Sequence, residues 1–465
     1  MQAPRVGLNL VLVVALVGCG GAPTQEQVEQ DVDQALKSQP PTMPEQWGTV
    51  VESGTVQAGW IESFNDPALT ALVIEAQKNN RDLLAAATNV DRAYSLARQA
   101  GAALKPEVSL AVTGTRSGSV DSSVAGATNL GLGAQVSWEA DVWGRLRSGE
   151  RAAVASAQAV EADFRSAQQS LAAATAKAYF TAIEANIQVG IASETLEILR
   201  ETNRIVNVKY NNGLATGQDV SLARSDLATA RERLTEVEGS YRDAVRALEV
   251  LLGRYPGADL EIREALPDVP PPPPAGLPSE LLERRPDIVA AERRVAAAFN
   301  ATEQARAARL PTLGLTGSLG GASGSLSNLL DPANVAWSVG ANLLAPLYDG
   351  GRRREAVNIT TAEQEQALAA YGQAAINAFT ELETSLDQGV VLSQRLDELR
   401  EAAAQAEKAF RIATLRYEEG EEDLLSVQTI QQRVINAKST RSSVERLLLE
   451  QRVNLNLALG GSWYD

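Results

Sequence analysis

The sequence predicts a mainly α protein with a small complement of membrane β structure, built from two copies of one design. Three observations carry this. Apolar residues recur over long stretches at spacings of three and four. Four short segments alternate apolar and polar residues. The second half of the chain echoes the first at a nearly constant offset. Sustained heptads argue coiled-coil packing, strict alternation argues strands with one apolar face, and a fixed offset means one structural unit used twice.

The repeat sets the domain organisation. Asp82 and Asp287 lie 205 residues apart, as do Pro106 and Pro311. Tyr210 and Tyr417 lie 207 apart, as do Gly213 and Gly420, and Leu252-Gly253 and Leu459-Gly460. The expected divisions are a signal peptide at 1–18, an N-terminal segment at 19–66, a first repeat at 67–254, a Pro-rich linker at 255–277 and a second repeat at 278–465. The linker carries five consecutive prolines at 270–274, which favour extended polyproline geometry and a semi-rigid spacer.

The N-terminus has Arg5 followed by the apolar stretch Val6–Val17, interrupted by Asn9. That is short of the roughly 20 residues a spanning helix needs and suits a secretory signal. The stretch ends in Leu16-Val17-Gly18-Cys19, and Cys19 is the only cysteine in the chain. The motif resembles the bacterial lipobox, in which the cysteine is lipidated and becomes the first mature residue. The competing reading is an ordinary signal peptide with an incidental cysteine. Gly20 follows, which by resemblance to lipoprotein sorting favours the outer membrane.

Each half reads helix, strand, strand, long helix, turn, helix. Strands are expected at about 106–116 and 131–143, and at about 311–319 and 337–347. Val108, Leu110 and Val112 alternate with Ser109, Ala111 and Thr113, and Trp337, Val339, Ala341 and Leu343 with Ser338, Gly340 and Asn342. Lengths near 10 residues fit tilted membrane strands, although a soluble half-buried sheet alternates in the same way. Pro106 and Pro311 stand where strands open, and Gly144 and Gly350-Gly351 where strands bend into helices.

The helical pattern is the longer one. Leu368, Tyr371, Ala375, Ala378 and Leu382 begin a stripe that runs to Tyr417 without a slip, and Val220 to Leu251 and Val427 to Leu455 carry similar stripes. Residues 145–210 as one helix would reach roughly 100 Å at about 1.5 Å per residue. Heptads alone also describe an ordinary coiled-coil scaffold. Four membrane strands cannot close a barrel, since bacterial barrels start at about eight, and open edges are not tolerated in lipid. Several chains must therefore share one barrel.

Composition excludes other classes. The chain has 42 basic and 58 acidic residues, a net charge of −16, and no basic block, so it is a poor nucleic-acid binder. It has no His, which removes the commonest general base and metal ligand. No Walker loop or Gly-x-Ser-x-Gly elbow occurs. No enzyme, no cofactor beyond a covalent lipid on Cys19, and no metal site are expected.

Several blocks resemble the outer-membrane efflux protein (TolC) family, in particular its lipoprotein branch serving resistance-nodulation-division pumps. They are Trp60, Phe64, Asp66-Pro67, Asn79-Asn80 and Asp82-Leu83, then Arg284-Arg285-Pro286-Asp287-Ile288, Ala305 to Pro311, Lys209 to Gly213 and Arg416 to Gly420. The resemblance covers about residues 45 to 463. It implies a homotrimer with a 12-stranded outer-membrane β-barrel continued by a long periplasmic α-helical coiled-coil barrel. It also implies a periplasmic adaptor (membrane fusion) protein, an inner-membrane pump as partners, and outer-membrane lipid as surroundings in a Gram-negative envelope. The function implied is a passive exit duct for drugs or other small molecules. Metal-cation efflux and type I protein secretion share that architecture, and a structural coiled-coil envelope protein or adhesin is the more distant alternative.

The resemblance places a gate at turns 211–218 and 419–424. Positions matching the family's gate aspartates are Ser426 and Thr429, which puts a simple aspartate ring in doubt. Asp219 remains in the first half, and Glu421, Glu422 and Asp423 form an acidic turn with Glu418 and Glu419. A charge run at a turn is often only solvated. Arg352, Arg353 and Arg354 after the fourth strand read as headgroup-level or plain surface residues.

If Cys19 is the lipidated mature N-terminus, intact-mass spectrometry of the membrane-extracted protein finds a chain beginning at Cys19 with several acyl chains, palmitate among them, because one chain alone anchors weakly. A mature chain that begins elsewhere without acyl mass overturns the assignment.

Overall fold

A computed structural model describes residues 25–38, 59–118, 126–274 and 278–463. The expected signal peptide at 1–18, Cys19 and most of the 19–66 segment lie outside these residues. The helices are α1 (Gln25–Lys37), α2 (Pro67–Asn79), α3 (Arg81–Ala102), α4 (Arg145–Asn211), α5 (Gly217–Leu251), α6 (Pro278–Arg284), α7 (Pro286–Ala307), α8 (Arg352–Glu419) and α9 (Leu424–Ala458). The strands are β1 (Glu107–Ser117), β2 (Ala127–Ala140), β3 (Thr312–Ser323) and β4 (Val335–Leu344). The duplication holds element by element: α4 and α8 have 67 and 68 residues, and α5 and α9 have 35 each.

The chain divides into two compact units that do not follow the repeats. One contains the described residues up to Ala35, with Leu96–Val154 and Ala296–Glu365; the other contains Leu36–Ser95, Ala155–Val295 and Gln366–Asp465. Each draws on both halves of the sequence.

The first unit carries one antiparallel sheet in the order β1-β2-β3-β4. Its register aligns the alternation of all four strands. Val108 pairs with Val136, Val136 with Gly317, and Gly317 with Val339. Two rows away lie Leu110, Ala134, Leu319 and Trp337. The intervening rows put Ser109, Gln135, Ser318 and Ser338 on the opposite face, where the Ser318 and Ser338 hydroxyls hydrogen-bond at 2.8 Å. One face is thus apolar and the other polar or small. The apolar face is bare: Leu110, Trp337 and Val339 are 72%, 76% and 80% exposed. Among the described residues β1 and β4 each have one unpaired edge.

The strand limits differ from expectation for identifiable reasons. β2 stops at Ala140 rather than 143 because Asp141 leaves the alternation to accept the N–H groups of Leu146 and Arg147, both at 3.0 Å, at the start of α4. β4 stops at Leu344 rather than 347 because Pro346 has no N–H for the ladder. β3 runs to Ser323, beyond 319, since Gly320 and Gly321 pair with Gly133 and Leu132 while offering no side chain to the pattern.

The second unit has a core of Trp60, Ile61 and Phe64 from a 3-10 turn, Leu69, Val73 and Ala76 of α2, Ala172, Ala176, Phe180 and Ile183 of α4, and Leu449 and Val453 of α9. Phe64 and Phe180 meet with ring centroids 5.4 Å apart. The expected boundary at 67 therefore cuts through a packed core. Asp66 caps α2 through the N–H groups of Ala68 and Leu69, and also accepts from Arg263 at 2.7 Å and Tyr179 at 3.3 Å. Burial, reinforced by the Asp66 charge, pushes the Tyr179 phenol up to about 12. Near the N-terminus α1 buries Val28, Val32 and Leu36, one turn apart.

The halves share a junction. The Asn80 amide donates to the Leu251 carbonyl at 3.1 Å, at the end of α5. At the equivalent place Arg285 donates to the Ala458 carbonyl at 3.2 Å, at the end of α9, and pairs with Asp287 and Glu381 at 2.7 Å each. The cap residues Leu252 and Leu459 have the same dihedrals, φ −74 and ψ −6. The linker is pinned at both ends. Glu249 accepts the N–H groups of Ala258, Asp259 and Leu260 at 2.8, 2.8 and 3.1 Å. Burial raises this carboxyl, but the three N–H groups outweigh burial and hold it below the usual glutamate value. The Arg452 guanidinium donates to the Pro270 carbonyl at 3.0 Å.

Candidate functional site: the paired helical turns

The long helices end in two equivalent turns, both in the second unit. Gly213 and Gly420 adopt φ 75 and φ 83, where a side chain would be strained. In the first turn the N–H of Leu214 reaches the Lys209 carbonyl at 2.8 Å; in the second the N–H of Glu421 reaches the Arg416 carbonyl at 2.9 Å. The same six-to-one closure ends α4 and α8. The helices end at Asn211 and Glu419 and resume at Gly217 and Leu424.

Both expected aspartates are helix caps. Asp219 forms a reciprocal capping box with Thr216: its carboxylate accepts the Thr216 N–H at 2.7 Å and hydroxyl at 2.8 Å, and its own N–H donates to the Thr216 hydroxyl at 3.2 Å. The Thr216 N–H and then its hydroxyl hold the Asp219 carboxyl below its ordinary value. Asp423 precedes α9 and accepts the Ser426 N–H at 2.7 Å. Glu421 and Glu422 flank Arg416 at 3.8 and 3.5 Å, a surface arrangement of little energetic weight. The Thr429 hydroxyl donates back to the Leu425 carbonyl at 2.8 Å. Thr429 also borders a groove of about 590 Å³ that Asp226, Gln428 and Gln431 help to line.

The two turns touch. Lys209 donates to the Tyr417 carbonyl at 2.9 Å, and its ammonium sits 3.8 Å from the centroid of the Tyr417 ring. Val206, Ala223 and Leu424 form an apolar cluster beneath, with Val220 and Tyr417 packed on it. Burial pushes the Tyr417 phenol up, and the Asp219 charge adds to this. One turn of helix away, Gln428 donates to Asp226 at 2.5 Å, and burial raises that carboxyl. Asp219, Asp423 and Ser426 thus stand on one set of packed turns. Sequence reasoning missed Lys209–Tyr417 and Gln428–Asp226; Lys209 and Tyr417 stood inside the repeated Tyr-x-x-Gly blocks, while Asp226 and Gln428 carried no signal.

No helix among the described residues is long and apolar enough to cross a membrane, whereas the sheet has a bare apolar face and a polar face behind it. A sheet of this kind, with long helices following its strands, fits an outer-membrane channel subunit. The outer membrane efflux protein family matches the chain over residues 72–254 and 277–461, one segment in each half, and the chain belongs to that family. It is 32% identical over 473 residues to the pyoverdine export outer membrane protein OpmQ of Pseudomonas aeruginosa, covering 98% of this chain and 97% of that one. It is 28% identical over 466 residues to the cation efflux system protein CusC of Escherichia coli, covering 99% of this chain and 100% of that one. The solved outer-membrane channel OprN superposes with a TM-score of 0.84 at 28% identity, over 91% of this chain and 98% of that structure. The protein is an outer-membrane efflux channel.

The capping roles predict separable effects. Asp219→Ala or Asp423→Ala should each remove about 1 kcal/mol of local helix stability and speed hydrogen exchange in the first turn of α5 or α9. Asp423→Asn keeps a capping oxygen and should not. A depressed carboxyl stabilises above its ordinary range and loses that contribution as pH falls through the lowered value. The Asp219→Ala difference should therefore be full at neutral pH and shrink below about pH 4; a difference independent of pH would contradict the capping geometry.

Proposed function

We propose that three copies of this chain close one barrel and form the exit duct of a tripartite efflux system, working with a periplasmic adaptor and an inner-membrane pump and anchored by lipid on Cys19. The observation that carries this is the four-stranded sheet with an apolar face, a polar face and two open edges. Lipid leaves no partner for an open edge, so β4 of one copy must meet β1 of the next. Two copies would give eight strands, whose interior side chains fill the bore; three give twelve and leave a passage. Ser109, Gln135, Ser318 and Ser338, with Gly131, Gly133 and Gly320 between, then line a polar and spacious wall.

The cargo is a small molecule handed over by the pump. Relatives of similar likeness are named for pyoverdine and for cations, which supports one duct architecture serving several cargoes, with selection made upstream in this reading. A structural or adhesive role has no use for a continuous polar face behind the apolar one.

Planar-bilayer recording tests the duct: the purified protein should give discrete single-channel currents. In the same assay Val136→Arg, on the lipid face, should destabilise the barrel by about 2–4 kcal/mol near the midplane, and Ser137→Arg, on the lumen face, should be much milder. Equal tolerance of both would reject the strand placement, and a stable monomer in mild detergent would reject closure by three copies.

The acidic turn, with Asp219, is proposed to ring the periplasmic mouth. Threefold repetition would focus a negative field into the lumen. Changing Glu421, Glu422 and Asp423 together to Gln, Gln and Asn should lower cation selectivity, with an effect that fades at 1 M salt, where screening shortens to about 3 Å. Unchanged conductance with impaired efflux in cells would instead make the turn an adaptor contact. If both are unchanged, Glu421, Glu422 and Asp423 have no role in the gate.

A further inference from the structure

The two strand-to-helix corners carry a residue pattern that neither the duct nor the gate uses. Each opens a long helix with Gly-Arg-x-Arg: Gly144-Arg145-Leu146-Arg147 at α4 and Gly351-Arg352-Arg353-Arg354 at α8, 207 residues apart. Arginine in the first turn opposes the helix dipole, whose positive pole is at that end. The chain places five there and satisfies the exposed N–H groups with aspartate instead, Asp141 in one corner and Asp349 in the other. A local rule broken twice at equivalent positions marks a use for the cations.

The corners differ in how far that charge is spent. Arg145 is held by Glu139 through two hydrogen bonds of 3.2 and 2.7 Å, and Arg147 by Asp141 at 3.2 Å. Arg353 pairs with Asp349 at 3.3 Å. Arg352 is exposed, and Arg354 is 72% exposed with only the similarly open Glu355 beside it. Immediately before them Leu347 and Tyr348 are 95% and 93% exposed in the single chain. They follow β4 at the end of the sheet where the apolar face has its last row, Ala140–Leu313–Leu343. Arg309 and Lys105, which precede β3 and β1 at this same end of the sheet, are also exposed. Bare leucine and tyrosine followed by bare arginine is the profile of a membrane–water boundary, apolar on one side and phosphate-bearing on the other.

We propose that Arg352 and Arg354, with Tyr348 and Leu347, form a docking surface for anionic phospholipid headgroups at the helix-side boundary of the outer membrane. The guanidinium fork matches phosphate oxygens, Tyr348 sits at the headgroup level, and Leu347 reaches the acyl region. The inference rests on the duct reading, which puts the sheet in lipid and the helices outside it.

Native mass spectrometry of the full-length protein tests it, with phosphatidylglycerol and phosphatidylcholine of identical acyl chains supplied at equal ratio. Wild type should retain phosphatidylglycerol in preference. Each arginine near an anionic lipid surface is worth about fivefold, so Arg352→Gln with Arg354→Gln should reduce that preference about twenty-five-fold. Arg352→Lys with Arg354→Lys should keep most of it, and Arg116→Gln at the far end of the sheet should leave it unchanged. Excess inorganic phosphate should compete no better than chloride at equal ionic strength. Equal preference in the double Gln variant overturns the proposal, as does specific displacement by free phosphate. If that variant does not fold, a wild-type preference near one overturns it. Bilayer currents separate the two readings: a conducting wild type without lipid preference sinks only this inference, and a non-conducting wild type sinks the duct.

Discussion

Backbone N–H and C=O groups have no water to bond with inside a bilayer, and each one left unpaired there is expensive. That constraint governs the sheet and, through it, the chain. Ladder bonds satisfy β2 and β3 on both sides, while β1 and β4 each keep one unpaired edge among the described residues. Pro106 and Pro311 stand just before β1 and β3, and Pro346 just after β4, so the missing N–H groups fall where the ladder ends. The helices satisfy their own backbones internally, and α4 and α8 can therefore run 67 and 68 residues without a partner at every step.

The duplicated architecture is maintained by backbone contacts more than by particular side chains. An amide at Asn80 and a guanidinium at Arg285 each bind the carbonyl that ends the returning helix, Leu251 or Ala458. The glycines that follow, Gly253 and Gly460, lie so close to the facing segment that an added Cβ would come 2.6 Å from the Asn79 carbonyl oxygen or 3.2 Å from Arg284 backbone. The fixed quantity is the approach of two backbones; the donor that bridges them has been free to change. This accounts for the Arg284-Arg285-Pro286-Asp287 block as a structural joint.

Much of this was legible in the sequence because periodicity reports burial. The heptads gave α5, α8 and α9, the second-half design read back onto 145–210 gave α4 as one long helix, and the alternation of Val108, Leu110 and Val112 gave β1 and its apolar face. Legibility failed where a residue served a purpose other than facing in or out. Asp141 fits the polar phase of β2 but caps α4. Gly320 and Gly321 extend β3 without a side chain to reveal it. The turns were readable from the repeated glycines, and Thr216 three residues before Asp219 is a capping-box signature that identifies Asp219 as a cap before any charge-ring role. The contacts joining the turns were not readable: Lys209 and Tyr417 are 208 residues apart and Asp226 and Gln428 are 202 apart, and no local pattern couples positions at that distance.

The strand order carries a kinetic consequence. β1 with β2 and β3 with β4 are local hairpins, and the long helices form from contacts a few residues apart. The pairing of β2 with β3 joins Leu130–Ala140 to Leu313–Ser323, which must wait until α4, α5, the linker and α7 have brought the two hairpins together. Closure of a long loop precedes any reward from the contacts it makes. The centre of the sheet should therefore form late in the protomer, and until it does two hairpins with apolar faces and four unpaired edges are open to the wrong partner. The prolines at 270–274 and the anchors at Glu249 and Arg452 shorten that search by holding the linker in one course. Substitutions that loosen the linker should be felt first in the yield of correctly assembled protein, before any change in the finished channel.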